Sequence, residues 1–332
     1  MMPDVLERSV WPVDLDAITA ARDRIRAHIP VTPLRSYPVL DAEVGHAIRV
    51  SVKHENFNPT GAFKVRNGFS LVTALSDDAK RRGIVAATRG NHGLGLAYAG
   101  KTFGVPVTIC VPLGNNPEKN AAVRALGARL IESGRDYDES LAVADAIVRE
   151  EGAQLAHSTN NAHIIAGAGT LSLEIVEQEP ALDAMVIAVG GGSQAVGAMT
   201  VMRALRPHVR VYAVQAEGAA AGYLSWHARS RQVTERAETI ADGLATRSTY
   251  ELTFPALVEG LADFITVSDA AITDAVRMYL RTTHTLVEAA GAAGLAGLLA
   301  LRDRLAGQRV AIIASGGNID EATLRRVMTR EL

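Results

Sequence analysis

The sequence is poor in cysteine and carries little net charge. Its 332 residues include one cysteine, Cys110, so no disulfide can form within the chain. The surrounding run, residues 107–111, is apolar, which predicts a buried strand position for Cys110 rather than a nucleophile. The net charge is −2 and the basic residues are scattered. Since binding to a phosphate backbone requires a concentrated basic face, a nucleic-acid partner is not expected.

Long hydrophobic runs are also missing, although 48% of the residues are apolar. The longest apolar stretch, residues 289–301, is rich in glycine and alanine and falls short of the ~20 residues that a membrane span requires. It therefore predicts a buried helix. Residues 1–16 mix acids with bases and contain no apolar segment of signal-peptide length. We expect a cytoplasmic protein with no membrane partner.

Strand-like apolar runs alternate with segments of helical spacing along most of the chain. The strand-like runs lie at residues 48–53, 84–88, 107–111, 129–131, 154–156, 185–189, 209–214 and 310–314. Helical spacing is found at residues 91–103, 116–126, 137–151 and 164–178. This alternation predicts an α/β fold with parallel sheets covered by helices on both faces. No long polar linker is present, so two lobes would have to be interleaved in sequence.

One lysine stands out because of its neighbours. Lys64 follows Phe63 at the end of a turn, residues 58–62, that leads into a helical segment. A lysine that acts as a nucleophile must be held neutral and away from water, and Phe63 could cover one face of an aromatic ring. The plainer interpretation is a lysine at an ordinary strand-turn-helix junction, and residues 60–64 alone do not decide between the two.

A run of glycines follows the apolar strand at residues 185–189 and opens a helical segment. Glycines let the backbone approach an anion, and the N–H groups of a helix N-terminus bind it, so this loop predicts a phosphate site. The same residues also fit a dinucleotide fingerprint that ends at Ala195, with Glu217 as a ribose-binding acid, which would indicate a nicotinamide oxidoreductase. The loop residues are Gly190, Gly191, Gly192 and Ser193.

Two further glycine-containing loops follow predicted strands. Residues 88–93, Thr-Arg-Gly-Asn-His-Gly, offer another anion-binding helix N-terminus, although Asn91 and His92 could simply cap a helix. Residues 314–318, Ala-Ser-Gly-Gly-Asn, place Ser315 directly after the last predicted strand, where a serine-capped turn is the alternative. Each loop alone is weak support for a binding site.

Taken together and in this order, the motifs resemble the serine/threonine dehydratase family, the fold-type II pyridoxal-phosphate enzymes. The matches run from about residue 30 to residue 320. The resemblance implies an α/β fold of the tryptophan synthase β type, with two interleaved parallel-sheet lobes covered by helices. A large cofactor-binding domain would comprise residues 1–82 and 161–332, and a small inserted domain residues 83–160.

The resemblance also implies roles for particular residues. Lys64 would be the catalytic, Schiff-base lysine, with its neighbour Phe63 also binding the cofactor. Asn91 would bind the phenolic oxygen of the cofactor and Ser315 its pyridine nitrogen. The phosphate would lie on the loop of Gly190, Gly191, Gly192 and Ser193. The substrate carboxylate would lie on the loop of Thr88, Arg89, Gly90 and His92.

The sequence departs from the family pattern at several positions. Arg89 stands where relatives have serine or alanine, and serine racemases use that serine as a second acid/base. A guanidinium stays protonated, so two-base racemisation is disfavoured. Arg89 could instead bind a substrate carboxylate through two hydrogen bonds, or it could be an ordinary solvated loop residue. Gln215 and Ala221 replace the acids of metal-activated relatives, so we expect no metal site, unless Glu217 restores one acid.

We therefore expect a pyridoxal-phosphate-dependent ammonia-lyase that eliminates water from a 3-hydroxy amino acid such as threonine or serine. The products would be ammonia and a 2-oxo acid. A dehydratase for phenylserine or 3-hydroxyaspartate is the alternative within this class, and the altered Arg89 loop motivates it. A nicotinamide oxidoreductase and a non-enzymatic amino-acid sensor are alternatives of other classes. Dimers are the commonest oligomers, and homodimers are common in the family, so a homodimer is expected.

Overall fold

The computed structural model describes residues 10–135 and 137–331 of the chain. The expectation that residues 1–16 carry no signal peptide therefore lies mostly outside the described residues. The strands of this part form two sheets. The large sheet has the order β1 (Leu34–Ser36), β2 (Arg49–Lys53), β10 (Arg309–Ile313), β7 (Ala184–Ala188), β8 (Arg210–Ala216) and β9 (Asp263–Val267). The small sheet has the order β5 (Arg129–Glu132), β4 (Val107–Val111), β3 (Ile84–Ala87) and β6 (Gln154–Leu155).

Helices cover both sheets. In chain order they are α1 (Leu15–Ile25), α2 (Pro38–Val44), α3 (Lys64–Ala74), α4 (Asp77–Arg82), α5 (Asn91–Phe103), α6 (Pro117–Ala125), α7 (Tyr137–Glu151), α8 (Ala162–Gln178), α9 (Ser193–Leu205), α10 (Ala221–Ala228), α11 (Phe254–Gly260), α12 (Asp269–Thr283), α13 (Ala289–Ala300) and α14 (Glu321–Thr329). Within the described ranges, no helix is long and apolar enough to cross a membrane. The predicted buried helix at residues 289–301 is confirmed as α13.

The parallel pairing expected from the alternation is confirmed, with one exception. All pairs of the small sheet are parallel, and β2, β10, β7, β8 and β9 pair in parallel in the large sheet. The edge strand β1 pairs antiparallel with β2, with Leu34 opposite Lys53. The sequence interpretation missed β1, which has only three residues, and β9, whose apolar run is short. Cys110 is buried in β4 as expected, and burial raises the pKa of its thiol to about 11.

Helix α3, which begins at Lys64, is wedged between elements of both sheets. Gly68 of α3 lies against α5, and a Cβ atom there would come within 2.4 Å of the Gly95 carbonyl oxygen. On the other side, a Cβ atom on Gly167 of α8 would come within 2.6 Å of the Arg66 carbonyl oxygen. Such backbone contacts require glycine. They fix the start of α3 on both sides.

The small sheet lies entirely within the segment predicted as an inserted domain. Its strands fall between Ile84 and Leu155, and helix α7 packs on them from the same segment. Helix α3, from outside that segment, shares an apolar cluster with the small sheet through Val65 and Phe69. The division at residues 82–83 and 160–161 therefore stays a proposal.

Candidate active site

Three of the predicted loops lie where strands of the two sheets end. The loop before α5 follows β3, the glycine loop before α9 follows β7, and Ser315 comes two residues after β10. In open parallel sheets, ligands bind outside the carboxyl ends of the strands. Lys64 joins this region because the backbone N–H of Phe63 donates to the Ser315 carbonyl oxygen over 2.9 Å. The structure thus brings the predicted lysine and the predicted serine loop together.

Lys64 is partly buried and forms no ion pair with any of the described residues. Burial lowers the pKa of its amine to about 8. Its Nζ atom lies 5.0 Å from the centre of the Phe63 ring, so the ring touches the lysine itself. An unpaired, partly desolvated lysine is neutral in an appreciable fraction of molecules near neutral pH, as a nucleophilic amine requires.

Asn91, at the start of α5, is held by two hydrogen bonds of its side chain. Its Oδ1 atom accepts from Asn318 Nδ2 over 2.8 Å, and its Nδ2 atom donates to Glu288 Oε1. Asn318 Nδ2 also donates to the Thr60 carbonyl oxygen over 2.8 Å. The turn before Lys64, the loop after β10 and the loop before α5 are therefore joined through Asn91.

The rest of the loop before α5 is built by short local contacts. Thr88 is buried, and its Oγ1 atom accepts from the backbone N–H of Gly90 over 3.1 Å. His92 is buried, with Nε2 2.8 Å from the Ala156 carbonyl oxygen. Burial, together with the charge of Lys64, lowers the pKa of His92 to about 3, so the imidazole is neutral. Its side chain is bonded to the residue after β6 of the small sheet.

Arg89 differs from its neighbours because its side chain is exposed. The described part of the chain provides no ion pair or hydrogen-bond partner for its guanidinium. Arg89 is therefore part of the loop, but none of the described residues holds its side chain in place. A solvated arginine and a clamp that closes on a carboxylate both fit this position.

The glycine loop before α9 has no room for larger side chains. A Cβ atom on Gly190 would lie 2.6 Å from the Gly243 carbonyl oxygen, and one on Gly191 would lie 2.0 Å from Thr159 Oγ1. Gly192 has a φ of 96°, in the left-handed region that favours glycine. Ser193 is buried at the start of α9. The loop therefore presents its backbone at a helix N-terminus, which suits a phosphate.

Beneath Lys64 lies a buried network of four charged side chains. Arg66 donates to Glu55 over 2.8 Å and to Glu174 over 2.7 Å. Lys53 donates to Glu174 over 2.6 Å. Burial alone would raise the pKa of Glu55, but the positive charges of Arg66 and Lys53 outweigh it and hold that pKa below its usual range. The network carries two positive and two negative charges, and it ties the first turn of α3 to β2 and α8.

Several residues near the site were missed as site residues. Glu288, before α13, binds Asn91, and Lys119 of α6 forms an ion pair of 2.6 Å with Asp242. His157 lies close enough to Lys64 for that charge to lower its pKa, together with burial, which is the larger cause. Glu288 lies in a segment that already matched the family. An acid directly before an apolar helix could have marked it as a candidate site residue. Lys119 and His157 carried no such signal.

These residues fit pyridoxal phosphate. Lys64 supplies an amine with a lowered pKa and no counter-ion among the described residues, and the glycine loop leaves space for a phosphate that a Cβ atom would fill. Asn91 and the Ser315 loop lie within the same connected set of contacts. A partly buried lysine without an ion-pair partner among the described residues, a glycine loop at a helix N-terminus and a fixed amide suit a pyridoxal-phosphate-dependent enzyme.

Comparison with known proteins agrees. Residues 25–316 match the family described as pyridoxal-phosphate dependent enzyme, and the chain belongs to this family. It is 34% identical over 320 residues to an L-threonine ammonia-lyase of Thermotoga maritima, covering 96% of this chain and 79% of that protein. It is 34% identical over 305 residues to an L-threo-3-hydroxyaspartate ammonia-lyase of a Pseudomonas species, covering 92% and 95%. The structure of maize serine racemase matches with a TM-score of 0.91 at 33% identity, covering 97% and 98%.

The family match confirms the expected cofactor class and fold type. It favours pyridoxal phosphate over a nicotinamide dinucleotide for the loop that begins at Gly190. Over residues 10–135 and 137–331, no three His, Cys, Asp or Glu side chains converge on a position for a metal ion. Gln215, where an acid was expected in metal-activated relatives, is buried and accepts from the Tyr223 backbone N–H over 3.1 Å. The absence of a cation site stays a prediction.

Proposed function

We propose that the protein is an ammonia-lyase that eliminates water from a 3-hydroxy amino acid such as threonine or serine and releases ammonia and a 2-oxo acid. The observation that carries the proposal is the state of Lys64. Its amine has a lowered pKa and no ion-pair partner among the described residues, and it lies close enough to His92, in the loop before α5, for its charge to lower the pKa of that imidazole. The similarity to ammonia-lyases over more than nine tenths of the chain supports the same reaction class.

Each group in the site has a task in this reaction. Lys64 would hold the cofactor, and its neutral amine would accept the α-proton of the substrate. Bound pyridoxal phosphate supplies an electron sink for the pair that the proton leaves behind. The N–H groups in the first turn of α5 bind the α-carboxylate, while the loop from Gly190 to Ser193 holds the phosphate. Phe63, Asn91 and Ser315 orient the ring.

The test is product release from a panel of amino acids. Purified protein is incubated with L-threonine, L-serine, phenylserine and L-threo-3-hydroxyaspartate, and ammonia and 2-oxo acid are measured separately. We expect both products in equal amounts from threonine or serine, and neither from the variant Lys64→Ala. Cofactor binding without turnover of any panel member would contradict the proposal and support an amino-acid sensor.

A second substrate class, 3-hydroxyaspartate, is favoured by Arg89. The side chain is exposed beside the loop and carries a charge that a second carboxylate could engage. The variant Arg89→Ala then lowers kcat/KM for 3-hydroxyaspartate by about tenfold or more, since hydrogen bonds to charged groups contribute about 1.5–3 kcal/mol. Threonine serves as the control substrate. An unchanged ratio between the two substrates would leave Arg89 as a solvated loop residue.

We also propose a cytoplasmic homodimer with the two-domain division given above. The composition and the finding on membrane-spanning helices in the described residues support the location. Support for the dimer is the frequency of twofold assemblies among soluble enzymes. Light scattering of the purified protein tests the dimer, and a mass of one chain, 35.1 kDa, would contradict it.

A further inference from the structure

Glu288 is a buried acid with no direct task in the proposed elimination. It is the residue before α13, and only 4% of it is exposed. The Glu288 side chain makes no hydrogen bond to the N-terminus of its own helix. Its backbone N–H donates to the Gly316 carbonyl oxygen over 2.9 Å, and its Oε1 atom accepts from Asn91 Nδ2. Both contacts are with loops of the candidate active site.

The hydrogen bonds fix which way the Asn91 amide points. Thr60 contributes a carbonyl oxygen, which can only accept, so the Asn318 atom beside it must be Nδ2. The same Nδ2 atom donates to Asn91, so the Asn91 atom that faces it must be Oδ1. The Asn91 nitrogen therefore faces Glu288. A side-chain amide nitrogen carries two hydrogens, so one remains for another acceptor.

Glu288 also lies beside charged groups of other elements. Lys119 of α6 lies 4.0 Å from its Oε2 atom, and Lys119 in turn is paired with Asp242. Asp320 acts on Lys119 from the loop before α14. Within the described residues, the Oε2 atom is buried and has no hydrogen-bond partner. One oxygen of the carboxyl group thus holds Asn91, while the other faces a lysine at a distance.

We propose that Glu288 is a positioning residue: it holds the Asn91 amide so that the second N–H of Asn91 points at the cofactor. The charge of Glu288 therefore changes the environment of the bound cofactor. The acceptor for that N–H is the phenolic oxygen of the cofactor, the group that Asn91 is expected to bind. A carboxylate accepts the first N–H more strongly than a neutral acid does. The hold on Asn91 is therefore tighter when Glu288 is ionised.

The surroundings of Glu288 set the pH at which its carboxyl group ionises close to neutral. Burial raises the pKa of Glu288 to about 7, with Lys119 opposing the rise and Asp242 adding to it. As the pH falls through this value, Glu288 gains a proton and Asn91 loses a charged partner. Helix α13 itself contains no charged residue. The charged groups that set the pKa of Glu288 are therefore those of other elements, Lys119 and Asp242.

The test follows the bound cofactor without substrate. The visible spectrum of the holoenzyme is titrated across neutral pH for the wild type, Glu288→Gln and Asp242→Asn. We expect a transition near pH 7 in the wild type, set by the raised pKa of Glu288. Glu288→Gln abolishes the transition. Asp242→Asn is the matched control: it touches Lys119 but not Asn91, and it moves the transition to lower pH because a neighbouring negative charge is removed.

Cofactor affinity supplies a second readout. Glu288→Ala frees the Asn91 amide and weakens cofactor binding by about tenfold, the loss expected for one hydrogen bond to a charged group. Glu288→Gln keeps an acceptor oxygen for Asn91 and loses less. A transition that persists in Glu288→Gln, or equal cofactor affinity in wild type and Glu288→Ala, would overturn the proposal. Neither readout depends on which amino acid is the substrate, so failure here is separate from failure of the ammonia-lyase proposal.

Discussion

Lys119 Nζ lies 2.6 Å from Asp242 Oδ2, and this ion pair joins the two sheets across the site. Lys119 belongs to α6, which packs on α5 and β5 of the small sheet. Asp242 opens a short turn that packs on α13 beside the large sheet. Burial alone would lower the pKa of Lys119, but Asp242 and Glu288 outweigh it and raise that pKa, so the lysine stays charged.

Removing this pair is predicted to loosen α6. In Lys119→Met, helix α6 loses its charged contact with the large sheet while the length of the side chain is kept. Hydrogen exchange of the amides in residues 117–125 then speeds up by about fivefold, equivalent to about 1 kcal/mol of opening free energy. Lys101→Met on the exposed side of α5 is the control. Unchanged exchange in α6 would mean that the pair does not hold the sheets together.

The glycine loop gives a prediction about cofactor affinity. In Gly191→Ala, the added methyl group would lie 2.0 Å from Thr159 Oγ1, so the loop must shift. Overpacking of this kind costs about 1–3 kcal/mol, and we expect most of it to appear as weaker cofactor binding. The control is Gly294→Ala in α13, where the nearest atom is the Val186 carbonyl oxygen at 3.3 Å. Equal cofactor affinity in both variants would argue against a phosphate site at Gly191.

The buried charges beneath Lys64 give a prediction about stability. Arg66→Ala leaves Glu55 and Glu174 buried without their main partner, which costs about 3–5 kcal/mol of unfolding free energy. The comparison is Arg22→Ala, which breaks an exposed pair with Glu177 and costs at most about 1 kcal/mol. Urea unfolding of the two variants measures the difference. Similar midpoints would show that the buried network adds no more than a surface pair.

The lowered pKa of Lys64 predicts how cofactor uptake depends on pH. Only the neutral amine attacks an aldehyde, and the pKa of about 8 means that this form increases as the pH rises to that value. The rate at which cofactor-free protein takes up pyridoxal phosphate should therefore rise about fivefold from pH 7 to pH 8 and then level off. A free lysine derivative, with its ordinary pKa, keeps accelerating. A rate that rises without levelling would show an unperturbed Lys64.

The lowered pKa of Lys64 also predicts that the cofactor-free protein becomes more stable when the charge of this lysine is removed. The pKa of Lys64 is lower in the folded than in the unfolded chain, so protonated Lys64 destabilises the fold below pH 8. This penalty disappears as the pH rises through the folded and then the unfolded pKa. Lys64→Met should therefore stabilise the cofactor-free protein at pH 7 by about 1–2 kcal/mol, and by less at pH 10. A constant difference across this range would contradict the assignment.

Local signals in the sequence were sufficient for much of the fold and for the loops. Lys64, Gly190 and Ser315 could be found because each stands directly beside a strand or a helix start, within a few residues of chain. Apolar spacing placed eight of the ten strands in the described residues, and helices α5, α6, α7 and α8, for the same reason. Loop chemistry and periodicity are short-range properties, and a single sequence displays them.

Pairings over long distances in the chain could not be predicted in this way. Glu288 meets Asn91 over 197 residues, and Lys119 meets Asp242 over 123. Lys53 is fully buried in β2 with Glu174, although a lysine at the end of a strand is usually exposed. The edge strand β1 was missed because its three residues include Arg35 and Ser36 and show no apolar alternation.

The most direct test of the account identifies the lysine that carries the cofactor. The holoenzyme is reduced with borohydride, digested and examined by mass spectrometry. The chain has five lysines, at positions 53, 64, 80, 101 and 119, so the modified residue can be assigned without ambiguity. The account predicts a reduced cofactor on Lys64 alone, and none on Lys119, the other lysine near the site. A cofactor on another lysine, or on none, would contradict it.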